Sequence, residues 1–441
     1  MDILTKTSGR RLRKGCAYLK IQTLVLLCYI IFACCACKKN NPASVSKFRT
    51  QQLKYTATFF TNSVKLSNGN YVTIDQDTSY RHINIGAYDV NFNLVFLKKY
   101  SFSTPRDISC CIQFGNGFLI TGFNNDNSAL FAIMFNADGT ALWDSTYTPP
   151  GNNKIHAVSC CTGTDGNILL VASSQYGNGN TVAPPFIAKI NPQSGSMLSG
   201  PFFINGIDSL RDYWVTSVYE RNDGLYMSGF YFFLSGGSWD QGSLICLKTT
   251  EDGNILWLYS APVPPANTNL TGNPYVNAYN IAETNNGPVV LTAITTEQFS
   301  SASVYYFNNY WYPMIGNICV YSFNPLTGAK TDSVTFDINN KTTYPIIHPT
   351  YDGGFIIAAT GNNFLSSFTA PTTVLLIKTD AQFNIQWQKT YYPVGNNYIV
   401  LGVFPLADGY EVMGQNNSII NSESNVSTFL MKTDMQGNLR D

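Results

Sequence analysis

Histidines and carboxylates are the residues in this chain whose types could support metal binding or acid–base catalysis. There are only three histidines, His82, His156 and His348, and the sequence clusters no further metal ligands around the latter two. Prominent acids such as Asp165 and Asp352 precede a glycine, where aspartate is favoured for the geometry of a turn. No glycine-rich phosphate loop and no Ser-His-Asp order stands out. The sequence therefore predicts no catalytic residue, no metal site and no cofactor.

Two adjacent cysteine pairs offer a different chemistry, namely disulfide formation. Cys110-Cys111 and Cys160-Cys161 occupy equivalent predicted strands, where alternation places one member of each pair on either face. An exported protein can form disulfides, so a bridge from Cys110 to Cys160 or from Cys111 to Cys161 is possible. A disulfide needs Cα atoms within about 7 Å, and the innermost strands of neighbouring sheets in a ring splay apart. We therefore expect these cysteines to be buried as small apolar residues instead.

Aromatic residues form the densest group of candidate binding residues. The segment VYYFNNYWYP, residues 304–313, contains six aromatic residues around Asn308 and Asn309. Flat rings stack on sugar or peptide faces, while Tyr hydroxyls and Asn amides hydrogen-bond a ligand. A shorter insertion contributes Trp239 beside Tyr231 and Phe232. The predicted ligand-binding residues are Trp239, Tyr305, Tyr306, Asn308, Asn309, Tyr310, Trp311 and Tyr312. The alternative is that these rings pack against one another and roof the fold.

Repeated β-units must position these residues. Asn-Gly or Asp-Gly dipeptides, the preferred centres of tight hairpin turns, recur seven times; their first residues are Asn68, Asn116, Asp165, Asp223, Asn286, Asp352 and Asp408. An apolar or alternating stretch follows each dipeptide, and a second strand pair follows that hairpin. With four strands per repeat and no helical periodicity, the sequence predicts an all-β, seven-bladed β-propeller of four-stranded blades.

The ring of blades needs a closing strand. The last repeat ends at Asp441 before its fourth strand, whereas Lys47 to Thr56 precedes the first strand of repeat one, Thr58 to Leu66. We predict that this N-terminal segment pairs with the strand around Thr428 to Thr433 and closes the ring. The fourth strands carry an aromatic residue in four repeats, at Phe96, Trp143, Trp257 and Trp387. Repeats three, five and seven lack it.

Two turns resemble those of bacterial quinoprotein-like propellers. Residues 324–330 (NPLTGAK) and 191–195 (NPQSG) are similar to that family's turn Asp-x-x-Thr-Gly-Lys, which a Trp follows. The resemblance covers residues 47–441 and implies the propeller fold. Quinone-dependent dehydrogenases of this group also bind calcium and a redox cofactor, and no residue here matches those sites. An oxidoreductase of this type and a glycan-active hydrolase or lyase remain the enzymatic alternatives.

The N-terminal region has the pattern of an export signal. Six of the 27 basic residues lie in the first 20 positions, and an uncharged run of 17 residues follows, from Ile21 to Cys37. This run is shorter than the ~20 residues of a membrane-spanning helix, but a basic start, an apolar stretch and small residues before a cysteine are typical of a cleaved signal. The junction Ala36-Cys37, followed by two lysines, resembles the lipidation site of Gram-negative lipoproteins. Cys34 is the alternative lipidation site, and ordinary signal cleavage or a retained anchor is the alternative to lipidation.

These features predict three regions and a location. Residues 1–36 form a lipoprotein signal peptide, residues 37–46 a lipidated Cys37 with a polar tether, and residues 47–441 the propeller. Several acyl chains on one residue anchor a protein stably to a membrane. We expect the protein at the outer membrane, on its periplasmic or cell-surface side. Without its leader the chain carries 21 basic and 26 acidic residues, a balance that argues against nucleic acid as a partner.

The connections between strands predict where the propeller binds. From repeat four onward the loops between the second and third strands lengthen, as in residues 230–242, 295–316, 361–373 and 415–427. All of them project from one face of a propeller, and elaborated loops on a rigid scaffold commonly carry function. The sequence thus favours a non-catalytic binding or assembly module that recognises a glycan or a protein through aromatic loops.

Overall fold

The computed structural model describes residues 48–52, 61–77, 79–149, 154–175, 184–207, 211–235, 238–261, 276–282, 284, 287–295, 304–307, 310–313, 317–336, 342–361, 372–392, 397–420 and 423–440. All of them lie within one structural unit, Ser46–Asp441. Their secondary structure consists of strands. Among these residues, none forms a helix with the length and apolar character that membrane crossing requires.

Seven four-stranded antiparallel sheets form the blades of a β-propeller, which confirms the predicted fold class. We label the strands of each blade A to D from the channel outward. Blade one consists of β2 (Thr61–Lys65), β3 (Tyr71–Gln76), β4 (His82–Tyr88) and β5 (Leu94–Ser101). Blade two consists of β6 (Arg106–Phe114), β7 (Gly117–Asn124), β8 (Leu130–Phe135) and β9 (Ala141–Tyr147). Blade three consists of β10 (Lys154–Thr162), β11 (Ile168–Gln175), β12 (Phe186–Ile190) and β13 (Met197–Phe203).

The later blades have longer inner strands and one insertion. Blade four consists of β14 (Arg211–Arg221), β15 (Gly224–Ser235), β16 (Ser238–Thr249) and β17 (Ile255–Ser260). Blade five consists of β18 (Val276–Ala282), β19 (Val289–Thr295), β22 (Asn317–Phe323) and β23 (Lys330–Phe336), with β20 (Val304–Phe307) and β21 (Tyr310–Pro313) as a separate hairpin between them. Blade six consists of β24 (Thr342–Pro349), β25 (Phe355–Gly361), β26 (Thr373–Thr379) and β27 (Ile385–Tyr391). Blade seven consists of β28 (Asn397–Leu406), β29 (Gly409–Ile420), β30 (Glu423–Asp434) and β1 (Phe48–Gln52).

The N-terminal strand closes the ring as predicted. Strand β1 pairs antiparallel with β30, from Phe48 opposite Met431 to Gln52 opposite Ser427. It therefore forms strand D of blade seven and covers an edge that would otherwise be open to pairing with another chain. The first A strand, Thr61–Lys65, is shorter than the predicted segment Thr58 to Leu66, and residues 53–60 lie outside the described part of the chain.

Two kinds of glycine shape the turns between strands A and B. Gly166 lies inside its turn with a φ of 80°, a conformation that costs glycine little because it has no Cβ. Gly117 and Gly409 instead begin strand B directly after a two-residue turn. A Cβ at Gly117 would lie 2.0 Å from the backbone oxygen of Phe135, and one at Gly409 would lie 1.9 Å from that of Thr433. These two glycines therefore allow strand C to approach closely.

The apolar core is divided among the seven interfaces between neighbouring blades. Each cluster of buried residues in the described chain combines side chains from two adjacent blades. Both faces of a sheet are therefore covered, and the central strands β7, β8, β25 and β26 are buried along almost their whole length. The cluster between blades seven and one has the fewest buried members, namely Tyr71, Tyr88, Phe92, Met413 and Leu430.

An ion-pair network supplements this small apolar cluster. Glu411 on β29 contacts Lys65 of blade one and, at 3.0 Å, Lys432 of blade seven, and its side chain is only 3% exposed. Burial alone raises the pKa of Glu411, but hydrogen bonds from Lys65, Tyr71 and Lys432 outweigh it and hold that pKa below its usual value. The carboxylate is therefore charged at neutral pH and links the two terminal blades.

The predicted aromatic residues of strand D dock each outer strand on the next blade. Each ring lies against a glycine in the following C–D turn, in the pairs Phe96 with Gly139, Trp143 with Gly195, Trp257 with Gly328 and Trp387 with Gly437. A Cβ on any of these glycines would lie between 2.5 and 2.8 Å from the ring. The indole N–H groups donate to backbone oxygens of the same turns, at 2.7 Å to Pro192, 2.9 Å to Pro325 and 2.9 Å to Met435.

A phenylalanine replaces this pair after blades five and seven, two of the three blades whose strand D lacks the aromatic residue. Asp332 of blade five stands opposite Ser322, the register position that Trp257 holds opposite Lys248. The following turn, in blade six, carries Phe383 instead of glycine, with a φ of 62° and 4% exposure. Its ring belongs to the cluster between blades five and six. Phe92 of blade one does the same after blade seven, with a φ of 64°. At these two interfaces a ring from the turn fills the slot that a strand-D aromatic fills elsewhere. After blade three the turn carries Gly253, where a Cβ would lie 2.3 Å from the backbone oxygen of Phe203.

The exchange between turn and strand can be tested at blade six. Phe383→Gly should lower the free energy of unfolding by about 3 kcal/mol, because the lost burial exceeds the relief of an unfavourable positive φ. Adding Asp332→Trp should recover a substantial part of this loss in denaturant titrations. Asp332→Trp alone is the control and should not stabilise the protein, because Phe383 already fills the slot. An unchanged free energy of unfolding in Phe383→Gly would show that the ring of Phe383 does not stabilise the protein.

Candidate functional site

The upper face of the propeller, where the A strands begin, is the elaborated face. Two insertions that the sequence predicted to be loops are strand extensions instead. In blade four, β15 and β16 are twelve residues long and pair as far as Ser235 opposite Ser238. In blade seven, β29 and β30 are also twelve residues long and pair as far as Ile420 opposite Glu423. The prediction of loops at residues 230–242 and 415–427 was wrong, because the backbone ladder between strands B and C continues into these segments.

The predicted aromatic residues lie on these additions. Tyr305 and Tyr306 on β20 stand opposite Tyr312 and Trp311, while Tyr310 begins β21. Trp239 stands opposite Leu234 in the extended hairpin of blade four. These assignments concern the backbone, because the side chains of these residues lie outside the described part of the structure, as do Asn308 and Asn309 entirely. Their role in binding stays a prediction.

A β-bulge recurs in the A strands near the upper face. The register between strands A and B shifts in six blades, between Ile108 and Cys110, Ile155 and Ala157, Val215 and Ser217, Ala278 and Asn280, Thr343 and Ile346, and Val400 and Gly402. A bulge increases local twist and redirects the side chains beside it, and such bulges are frequent next to functional sites. The residues that precede each bulge therefore point differently from a regular strand.

Buried polar side chains of strand B fasten these bulges to the preceding blade. Ser173 Oγ accepts a hydrogen bond of 2.9 Å from the backbone N–H of Val215, and Thr360 Oγ1 accepts one of 2.9 Å from Val400. These hydrogen bonds were not predicted from the sequence. Each B strand carries at least one buried polar residue: Gln76, Thr121, Ser173, Ser228, Thr292, Thr360 and Gln415. Ser173 and Thr360 thereby tie the A strands of blades four and seven to the blades that precede them.

The described part of the upper face contains one aromatic and acidic group, which we call the blade-four corner and define as Asp212, Trp214 and Phe230. The rings of Trp214 and Phe230 are stacked, with centroids 5.7 Å apart and an angle of 21° between their planes. The indole Nε1–H of Trp214 donates to Asp212 Oδ2 at 3.3 Å. Both rings are half-buried, so part of their surface faces solvent. The corner thus combines a flat apolar surface with a carboxyl group.

The opposite side of the same strands fixes the corner in place. Tyr213 and Tyr231 are both 3% exposed, with ring centroids 5.9 Å apart. The guanidinium group of Arg211 lies 4.5 Å from the centroid of the Tyr231 ring, a cation–π contact. Because neighbouring residues on a strand face opposite ways, Trp214 and Phe230 lie on the face of blade four opposite to Tyr213 and Tyr231, where both rings are half-buried.

Two carboxyl groups at the starts of A strands have altered acidity. Burial raises the pKa of Asp212 to about 7, an effect that the hydrogen bond from Trp214 only partly offsets. Burial likewise raises the pKa of Asp107 in blade two to about 6. Each is the second residue of its A strand and follows an arginine, at Arg211 and Arg106. Neither acid was predicted from the sequence, because only acids in turns were considered there.

The histidines provide no metal site among the described residues. Burial lowers the pKa of His348 to about 4, so this side chain is neutral at physiological pH. His82 Nδ1 lies 2.9 Å from Ser101 Oγ, and the side chain of His156 lies outside the described part of the structure. No group of three or more His, Cys, Asp or Glu side chains in the described residues could hold a metal ion.

The cysteines occupy the strand faces that the sequence predicted, but their burial and contacts differ from the expectation. Cys160 and Cys161 are buried, whereas Cys110 and Cys111 are half-buried. Cys110 and Cys160 pack in the cluster between blades two and three, and their sulfur atoms lie 3.4 Å apart. Cys111 and Cys161 belong to two other clusters. All four cysteines are free thiols, but the reason given for expecting this, that neighbouring A strands splay apart, does not hold for Cys110 and Cys160.

Comparison with known proteins does not assign an activity. No protein-family model matches the chain, and no curated protein sequence matches it significantly. Among solved structures, a protein of unknown function from Dyadobacter fermentans has 10% identity over 87% of this chain and 98% of that chain, with a TM-score of 0.47. A puromycin hydrolase has 12% identity over 86% of this chain and 53% of that chain, with a TM-score of 0.48. An ulvan lyase has 10% identity over 88% of this chain and 86% of that chain, with a TM-score of 0.46.

The raised pKa of Asp212 makes a prediction about stability. The folded protein holds this proton more tightly than the unfolded chain, whose aspartate has a pKa of about 3.9. The stabilisation by protonated Asp212 is therefore complete below pH 4 and is lost as the pH rises through 7. Asp212→Asn should remove this loss, which amounts to at most about 4 kcal/mol, and should raise the melting temperature relative to wild type at pH 8. Asp138→Asn, at a fully exposed turn, is the control. If Asp212→Asn showed the same difference in stability between pH 4 and pH 8 as the wild-type protein, the assignment would be contradicted.

Proposed function

We propose that this propeller is a lipid-anchored carbohydrate-binding protein and that the blade-four corner is the centre of its binding surface. The observation that carries this proposal is the stacked pair Trp214 and Phe230 beside the carboxyl group of Asp212. The C–H face of a sugar ring packs on an aromatic ring, while its hydroxyl groups donate to a carboxylate. A planar apolar surface beside one strong acceptor matches those two features of a sugar.

The register of blade four supports a binding surface larger than one sugar. Asp212 stands opposite Phe232, Arg211 opposite Phe233, and Leu234 opposite Trp239. The ladder that carries the corner thus continues into an aromatic-rich hairpin. A rigid sheet positions ligand-binding residues more accurately than a free loop. An oligosaccharide would therefore extend from the corner along this hairpin.

Charge and shape favour a glycan over the other ligand classes. With the proposed leader removed, the chain would carry 21 basic and 26 acidic residues, a balance that disfavours a polyphosphate backbone. A peptide ligand commonly adds a strand to a sheet edge or inserts side chains into apolar pockets. The corner instead offers a flat half-buried surface with a carboxyl group, and the described edge of blade seven is already covered by β1.

Binding should depend on the indole ring of the corner. We expect Trp214→Ala to weaken binding of an array-selected oligosaccharide by tenfold or more in calorimetry, because it removes the stacking surface and the hydrogen bond to Asp212. Tyr351→Ala is the matched control, since Tyr351 is 77% exposed in a turn of the lower face. A loss of binding in both variants, or in neither, would place the site elsewhere. Trp311→Ala then tests the separate contribution of the blade-five hairpin.

The lipid anchor is a separate part of the proposal and rests on the sequence around Cys37. Cys37→Ser should release the protein from the membrane fraction, because acylation of that sulfur supplies the anchor. Cys34→Ser is the matched control and should remain membrane-bound. If palmitate labelling persists in Cys37→Ser and disappears in Cys34→Ser, the lipidated residue is Cys34.

A glycan-active enzyme is the second candidate, and the raised pKa values of Asp107 and Asp212 are the observations in its favour. A carboxyl group with a pKa near 6 or 7 can donate a proton at neutral pH, as general acids of glycan-cleaving enzymes do. Prolonged incubation with the bound oligosaccharide distinguishes the two readings. A binding protein leaves the saccharide intact, whereas an enzyme yields shorter products that Asp212→Asn abolishes.

A further inference from the structure

We propose that Cys110 and Cys160 are a redox-active pair that closes into a disulfide between blades two and three. Their Sγ atoms lie 3.4 Å apart across the interface between the A strands β6 and β10. Both are thiols in the structure. A disulfide has an S–S length of about 2.05 Å, so the sulfurs must approach by roughly 1.4 Å for the bond to form.

The local backbone explains why these two sulfurs meet. A bulge precedes each cysteine, between Ile108 and Cys110 in β6 and between Ile155 and Ala157 in β10. Because a bulge turns the strand and redirects its side chains, these A strands direct two thiols into one interblade cluster. Equivalent bulges occur in other blades.

The neighbouring cysteines do not compete for this bond. Cys111 packs in the cluster between blades one and two, and Cys161 packs in the cluster between blades three and four. They therefore point away from each other on opposite sides of the Cys110 and Cys160 interface. The remaining described thiols, Cys246 and Cys319, lie in the cluster between blades four and five. The pairing is thus specific to one combination.

The two thiols have unequal roles in the exchange reaction. The Cys160 thiol donates a hydrogen bond to Cys110 Sγ and lowers the pKa of Cys110, while the same contact raises the pKa of Cys160. Cys110 is half-buried, whereas Cys160 is 4% exposed. Because the thiolate is the nucleophile in exchange, the more accessible and more acidic Cys110 reacts first.

The oxidant is a disulfide, either a small molecule or a dithiol protein in its oxidised form. The Cys110 thiolate attacks one sulfur of this disulfide, forming a mixed disulfide and expelling one thiolate. Cys160 then loses its proton and attacks Cys110 Sγ, which releases the second thiolate. Two cysteine thiols are thereby oxidised by two electrons, the oxidant is reduced to two thiols, and the two protons pass to those products.

The bond would join two blades whose cysteines are 50 positions apart in the chain. Cross-linking such a loop restricts the unfolded chain, so oxidation should raise the melting temperature by about 5 °C for a protein of this size. This increase would come without any new apolar contact, because both side chains already lie in the interblade cluster.

The test uses the reduced full-length protein incubated with oxidised glutathione and then blocked with iodoacetamide. Trypsin cuts after Lys154 and so separates the peptide of Cys110 from that of Cys160. We expect a cross-linked peptide pair by mass spectrometry and the increase in melting temperature. The double variant Cys111→Ser and Cys161→Ser should keep both results. Cys110→Ser should abolish both, and Cys160→Ala should leave glutathione attached to Cys110.

Three outcomes would overturn the proposal. The first is recovery of Cys110 and Cys160 in fully alkylated form at every ratio of oxidised to reduced glutathione. The second is a stable glutathione adduct on Cys110 in the wild-type protein, because an available Cys160 would displace it. The third is persistence of the cross-link in Cys110→Ser, which would show that another pair of cysteines reacts.

Discussion

Closure of the ring is the constraint on which the rest of this structure depends. Each sheet has two apolar faces, and each face is buried only if a neighbouring blade covers it. Six interfaces form between blades that are consecutive in sequence, but the seventh must join the two ends of the chain. There the apolar cluster is small, and the buried Glu411 contacts lysines of both blades. Together with β1 on the outer edge, this network holds all seven blades in one ring.

The sequence was informative about the fold because the fold is a sum of repeats. Turn dipeptides and Trp387 mark local geometry that recurs, so blade number, closure by β1 and the docking aromatics could all be predicted. The replacement of a Trp and Gly pair by Phe383 or Phe92 was not predicted, since it involves residues from different blades. The need for glycine at position 117 was not predicted either, because it arises from the close approach of strand C.

The candidate site was less accessible to sequence reasoning. Composition identified the aromatic insertions around Trp239 and Trp311, yet the corner of Asp212, Trp214 and Phe230 depends on cross-strand register and on burial of the alternate residues. Single residues such as Asp212 carry no sequence signal for a raised pKa, because desolvation is a property of the packed rim. The contact between Cys110 and Cys160 was missed for a related reason. The prediction assumed regular A strands that splay apart, and it did not include the bulges that precede both cysteines.

The central claim of this account is that ligands bind the upper face at the blade-four corner. Amide hydrogen exchange of the full-length protein, with and without an array-selected oligosaccharide, tests it most directly. Bound ligand should slow exchange in residues 211–214 and 228–235, which hold the corner, while residues 350–354 in a turn of the lower face remain unchanged. Protection confined to the lower face, or absent from blade four, would contradict the account.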